Sequence, residues 1–141
     1  MNVIEIEGLW TAYGAQVVHS GIDLTVRQGE VFSLVGGSGS GKTTLLRHML
    51  GLEIPLRGAV RVFGQPPLQR GFDAWRALRR RWGVLFQGGA LFSALDVFDN
   101  IALPLREVGT VDEDLVRERV HRKLEQTGLT RADAGKMPAQ L

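Results

Sequence analysis

Residues 31–44 carry the pattern on which chemistry could be built: Val-Phe-Ser-Leu-Val-Gly-Gly-Ser-Gly-Ser-Gly-Lys-Thr-Thr. Gly36, Gly41, Lys42 and Thr43 fit the phosphate-loop spacing G-x-x-x-x-G-K-[ST]. Glycine permits positive φ and lets a backbone approach a ligand closely. Through Gly36, Gly37, Ser38, Gly39, Ser40 and Gly41, successive N–H groups can turn inward as an anion nest. A helix beginning near Lys42 adds the positive end of its dipole. Lys42 is placed to reach the β- and γ-phosphates of a nucleotide, and the hydroxyl of Thr43 to meet Mg²⁺. Thr44 completes the loop.

Such a loop needs a strand before it and a helix after it. The apolar run 31–35 predicts the strand. Residues 45–50 predict the helix, with Leu45, Leu46, Met49 and Leu50 on its buried side and Gly51 as a left-handed stop. Upstream, alternation over 3–7, 16–19 and 22–26 predicts a small antiparallel β layer. Tyr13 sits just before Gly14, where it reads either as an ordinary strand aromatic or as a ring for stacking on adenine. Downstream, 59–63 reads as a strand and 73–81 as a short helix with Asp73 as N-cap. Residues 82–86 read as a buried strand that stops at Gln87.

The remainder is more helical. A glycine-bearing loop, 87–95, precedes a helix over 96–107 that Pro104 should perturb. Asp112 can cap a further helix whose apolar stripe is Val116, Val120 and Leu124, ending at Gly128. Glu113–Arg117 and Glu118–Arg122 stand at i, i+4 spacing.

With 141 residues, 44% hydrophobic and 23% charged, the chain is expected to be one domain or part of one. It has no cysteine, so disulfides and thiolate metal sites are excluded. A net charge of +2 gives no case for nucleic acid. Arg76, Arg79, Arg80 and Arg81 read first as a solvated helix face and second as a contact for anionic lipid. His19, His48 and His121 lack metal-ligand spacing and read as structural or exposed. No apolar run approaches the ~18 residues that span a bilayer. A cytoplasmic location is expected, unless a partner holds the chain at a membrane.

Taken in order, Tyr13, the loop 36–44, the strand 83–86 and Gln87 resemble the nucleotide-binding subunit of an ABC transporter. Residues 86–92, 97–101 and 104–107 are similar to the Mla-type and Mce-associated lipid-transport ATPases. The resemblance covers the whole chain. It implies an α/β P-loop NTPase fold: the N-terminal portion of an ABC ATPase, with an antiparallel β layer and the start of a helical subdomain. It implies ATP and Mg²⁺ as cofactors, Tyr13 stacking on adenine, and Gly36 to Thr44 wrapping the phosphates. Thr43 and Gln87 would reach the metal, and Gln87 would help to place the attacking water. A membrane permease would dock on the segment after Gln87, through Leu91, Phe92 and Phe98, with Gly88 and Gly89 giving it hinge freedom. For Leu91 and Phe92, core packing is an equal reading.

The implied partner is a second ATPase subunit, and the implied work is ATP hydrolysis coupled to lipid transport across a bacterial envelope, from the inner face of the cell membrane. Residues 137–141 resemble the segment just before the family's signature, and no apolar strand ending in Asp-Glu occurs. The expectation is therefore one nucleotide-binding domain, 1–141, truncated before the signature. Asp23 and Asp96 stand in the wrong contexts to replace the missing acids. The chain by itself is expected not to turn over ATP; the alternative is a non-hydrolysing nucleotide-binding module or an inert fragment.

Overall fold

The computed structural model describes residues 1–68, 72–107, 109 and 111–141, and leaves the side chains of residues 72, 73 and 75 undescribed. The chain falls into two compact units, Met1–Gly83 and Val84–Leu141.

In the first unit, the separate short strands expected near the N-terminus are two long ones, β1 (Asn2–Tyr13) and β2 (Gln16–Arg27). With β3 (Arg57–Val62) they form an antiparallel sheet of order β2-β1-β3. The long hairpin survives the interruption at Gly8 because a register shift absorbs it. Gly8 takes φ 53°, and its N–H donates to the Asp23 carboxylate at 2.7 Å. Asp23 is thereby committed to the sheet. Beyond the shift the inward side resumes at Leu9 and Thr11, both fully buried.

Helix α1 (Lys42–Met49) packs on this layer, and Ile6, Leu9, Leu45, Met49 and Val60 make the core. Its buried face differs from the expected one. Thr44, Leu45, His48 and Met49 are inside, whereas Leu46 is 41% exposed. On a helix, i, i+1, i+4 and i+5 share a face, and Leu46 lies a further 100° round. Gly51 takes φ 66° as expected, and a Cβ there would collide with Pro67 at 2.8 Å.

Two expected strands are absent. Residues 31–35 and 82–86 belong to no ladder, and Val31, Val35 and Leu85 are 94%, 92% and 91% exposed. An apolar run becomes a strand only by pairing, and a parallel pair requires a distant stretch of chain. Neither run has such a partner among the described residues. Helix α2 spans Phe72–Arg79, so Asp73 lies within it rather than at its cap. It stops short of Arg81, whose guanidinium lies 3.8 Å from the centre of the Phe63 ring. Arg76, Arg79, Arg80 and Arg81 are all exposed.

The second unit is helical. Helix α3 (Val97–Arg106) and helix α4 (Glu113–Gln126) bury Val97, Ala102, Val116, Val120 and Leu124. Short 3-10 turns follow at Arg131–Gly135 and Pro138–Gln140. Asp96 and Asp112 cap the two helices, accepting from the N–H of Asp99 at 2.7 Å and of Asp114 at 2.9 Å. Pro104 sits inside α3 without ending it. The Glu118–Arg122 pair forms at 2.6 Å. Glu113 pairs instead with Arg106, which also holds Asp99 at 2.8 Å, and Arg117 turns to Asp114 at 3.9 Å. The Arg106 guanidinium holds the Glu113 carboxyl below its ordinary range.

Candidate nucleotide site

A cleft of about 300 Å³ in the first unit is lined by Tyr13, Gln16, Val18, Gly39, Ser40 and residues 41–44. Its floor is the start of α1. Gly41 is the N-cap, at φ 89° and ψ 1°. No side chain caps this end and no acidic residue occupies its first turn. The first N–H groups of a helix have no partner within it, so they are directed into the cleft as donors beside the positive end of the dipole.

The glycines have separate reasons. A Cβ on Gly36 would meet the Ser40 hydroxyl at 2.8 Å, so the mouth of the loop closes only without one. A Cβ on Gly41 would meet His19 Nε2 at 2.5 Å and Val18 Cγ1 at 2.8 Å, and the positive φ already disfavours a side chain. Gly39 takes φ 79°. The loop therefore rests directly on strand β2.

Lys42 extends back along the loop. Its ammonium donates to the carbonyls of Gly36 at 2.8 Å and Gly37 at 2.6 Å, and to the Ser40 hydroxyl at 3.1 Å. That holds the ammonium against the loop, and among the described residues lining the cleft Lys42 is the cation. Ser38, Gly37 and Thr43 are exposed, and the Thr43 hydroxyl stands at the first turn of α1. The side chain of Thr44 goes elsewhere. It is buried and directed at the Tyr13 hydroxyl, at 3.5 Å.

Tyr13 forms one wall of the same cleft and is 49% exposed. The residue thus sits where a flat ligand held by the loop could lie on its ring. Three further side chains lie near: His19 and His48, which take the structural of their two expected readings, and Glu53, which the sequence did not mark. His19 is buried, with Nδ1 2.7 Å from the Thr11 hydroxyl. Burial, and then the charge of His48, pushes its pKa below the ordinary value. His48 is buried too and donates from Nδ1 to the Thr44 carbonyl at 2.8 Å. Glu53 accepts from the Tyr13 hydroxyl at 3.0 and 3.1 Å. None stands at a motif spacing that would single it out.

Gln87 lies in the second unit, exposed, at the start of a turn closed by Gly89 N–H donating to Phe86 O at 2.9 Å. Gly89 and Ala90 take φ 72° and 51°. Leu91 and Phe92 are exposed at 50% and 60%, while Phe98 packs against the helical core. Asn100, within 97–101 but given no role by the sequence, pins this segment. Its amide accepts from Phe92 N–H at 2.8 Å and donates to the carbonyls of Phe92, Leu95 and Asp96 at 2.9–3.0 Å. Among the described residues no group of acidic or histidine side chains could hold a metal by itself, and no helix is long and apolar enough to cross a membrane.

The pattern of the ABC transporter family matches residues 19–141. This chain belongs to the ABC transporter family. It includes ATP-binding-domain sequence of that family, with the N-terminal fold of an ABC ATPase. It is 39% identical over 140 residues to the intermembrane phospholipid transport system ATP-binding protein MlaF of Haemophilus influenzae, covering 99% of this chain and 53% of the relative. It is 45% identical over 130 residues to the methionine import ATP-binding protein MetN of Caulobacter vibrioides, covering 92% of this chain and 39% of the relative. The chain thus spans about half, or less, of the length of these relatives. Among solved structures, a dimeric ATP-binding cassette in a post-hydrolysis state, bound to ADP and Pi, superposes with a TM-score of 0.85 at 27% identity. The match covers 98% of this chain and 62% of that one.

Proposed function

We propose that the chain is the ATP-binding part of a transporter ATPase that couples ATP binding and hydrolysis to movement of phospholipid or another lipid across a bacterial envelope. The observation that carries the nucleotide reading is the uncapped start of α1, with Lys42 and Tyr13 in the same cleft. Tyr13 takes the adenine ring. Gly36, Gly37, Ser38, Gly39, Ser40, Gly41 and Lys42 receive the phosphates, with Thr43 and Thr44 at the helix start. The acid-free cleft suits Mg²⁺ arriving with the nucleotide, with the Thr43 hydroxyl as the protein's ligand in this unit. The lipid cargo is supported by the likeness to MlaF, while the likeness to MetN favours an amino acid as the second reading.

In this reading the two units are parts of one nucleotide-binding domain. The exposed Leu91 and Phe92, on the segment pinned by Asn100, receive a membrane permease, and a second ATPase subunit faces the loop. The protein then works at the inner face of the cell membrane.

Titration of the purified chain with MgATP and MgGTP tests the site. Comparable affinity for the two is expected, since a stacked ring does not read the edge of a base. Strong preference for one base, or no nucleotide binding at all, would overturn it. The cargo is tested by reconstituting the transporter with labelled phospholipid and with methionine. There, Gln87→Ala should lower hydrolysis and transport more than ATP binding.

A further inference from the structure

Tyr13 ends β1 at an exposed hairpin turn, where nothing in the strand itself would hold its ring against the cleft. The restraint comes from forty residues away. Both carboxylate oxygens of Glu53 accept from the phenol, at 3.1 and 3.0 Å, and Arg47 on α1 donates to the same carboxylate at 3.0 Å. Thr44, in the first turn of α1, directs its hydroxyl at the phenol oxygen at 3.5 Å. His48 Nδ1 is 3.8 Å from Glu53 but already donates to the Thr44 carbonyl, so it adds no hydrogen bond to the carboxylate.

Glu53 is poorly placed to serve α1 itself. It follows the C-terminal end of the helix, where a negative charge opposes the dipole, and its ion pair with half-exposed Arg47 is of the kind that contributes little. What it does accomplish is to tie the ring to the helix whose first turn forms the phosphate nest. A phenol donating to a carboxylate also has a more electron-rich ring, which favours stacking on a purine.

We propose that Glu53 is a positioning residue for the nucleotide base, holding the Tyr13 ring at a set distance from the phosphate loop so that nucleoside triphosphate is bound better than triphosphate alone. This rests on the reading of Tyr13 as the stacking residue. Glu53 touches neither base nor phosphate, and it acts only through the phenol.

The test compares dissociation constants for MgATP and for magnesium tripolyphosphate, which has no base. The chain is used as wild type and as Glu53→Gln, Glu53→Ala, Tyr13→Phe, Tyr13→Ala and the Glu53→Ala/Tyr13→Phe double variant, each checked by circular dichroism. Glu53→Ala and Tyr13→Phe should each weaken MgATP roughly three- to tenfold, within the net range of one ordinary exposed hydrogen bond. The double variant should be no weaker than the weaker single, and tripolyphosphate affinity should stay unchanged. Tyr13 is the single tyrosine, so its ring signals in NMR should broaden or move in Glu53→Gln whether or not nucleotide is present. Loss of ATP and tripolyphosphate affinity together would make Glu53 merely structural and overturn the proposal. Wild-type ATP affinity in Glu53→Ala and Tyr13→Phe, with Tyr13→Ala impaired, would overturn the proposal and leave stacking intact. An unimpaired Tyr13→Ala would remove the stacking reading and this proposal with it.

Discussion

Helices α1, α3 and α4 begin in two different ways. Helices α3 and α4 open on Asp96 and Asp112, whose carboxylates accept first-turn N–H groups. Helix α1 opens on Gly41, with no side-chain cap and no acid in its first turn. The capped starts satisfy their donors internally and place negative charge at the positive end of the dipole. The start of α1 forgoes both, and its donors face a cleft shared with Lys42 and Tyr13. A helix start can satisfy its donors internally or leave them open, and the residue at the cap decides which.

The largest expected effect tests the open start. Lys42→Ala should weaken MgATP binding by roughly ten- to a hundredfold, because it removes the charged donor of the cleft. Equal calorimetric affinity in wild type and variant would break the comparison at its centre. Gly41→Ala comes next. The Cβ collides with His19 and Val18 at a positive φ, so a loss of about 1–3 kcal/mol in denaturant stability is expected along with weaker nucleotide binding. If stability and affinity both stayed as in wild type, the close seat of the loop on β2 would be wrong.

Asp96→Ala tests a capped start. It should cost about 1 kcal/mol in denaturant unfolding and leave MgATP affinity unchanged. A fall in affinity as large as that of Lys42→Ala would erase the distinction between the two kinds of helix start. The smallest effect concerns the bed under the loop. Buried His19 has a lowered pKa in the fold, while in the unfolded chain it takes up a proton near its ordinary value of 6.5. The unfolded chain then binds more protons, so the contribution of His19 to stability falls as pH drops below 6.5 and levels off below the folded value. Thermal midpoints of wild type and His19→Gln, followed from pH 7.5 to 5, should converge as the pH falls. Parallel curves would mean that His19 does not titrate differently on folding.

What the sequence determined by itself was local. The phosphate loop, the stop at Gly51, the caps Asp96 and Asp112 and the stripe of α4 each depend on residues within a few positions, and spacing is enough to read them. The resemblance to the ABC family rested on the loop 36–44 together with Tyr13, the run 83–86 and Gln87. What the tertiary structure decided depends on partners far along the chain. Runs 31–35 and 82–86 have strand composition but no ladder, because composition cannot supply a neighbour. The side of α1 that is buried, with Thr44 and His48 inside and Leu46 out, was set by the sheet it met. His19 became the bed of the loop because β2 carries it under Gly41. Glu53 reached Tyr13 across forty residues because α1 returns the chain to the end of the hairpin. Side-chain contacts of that span leave no periodic trace in a sequence; the fold creates them.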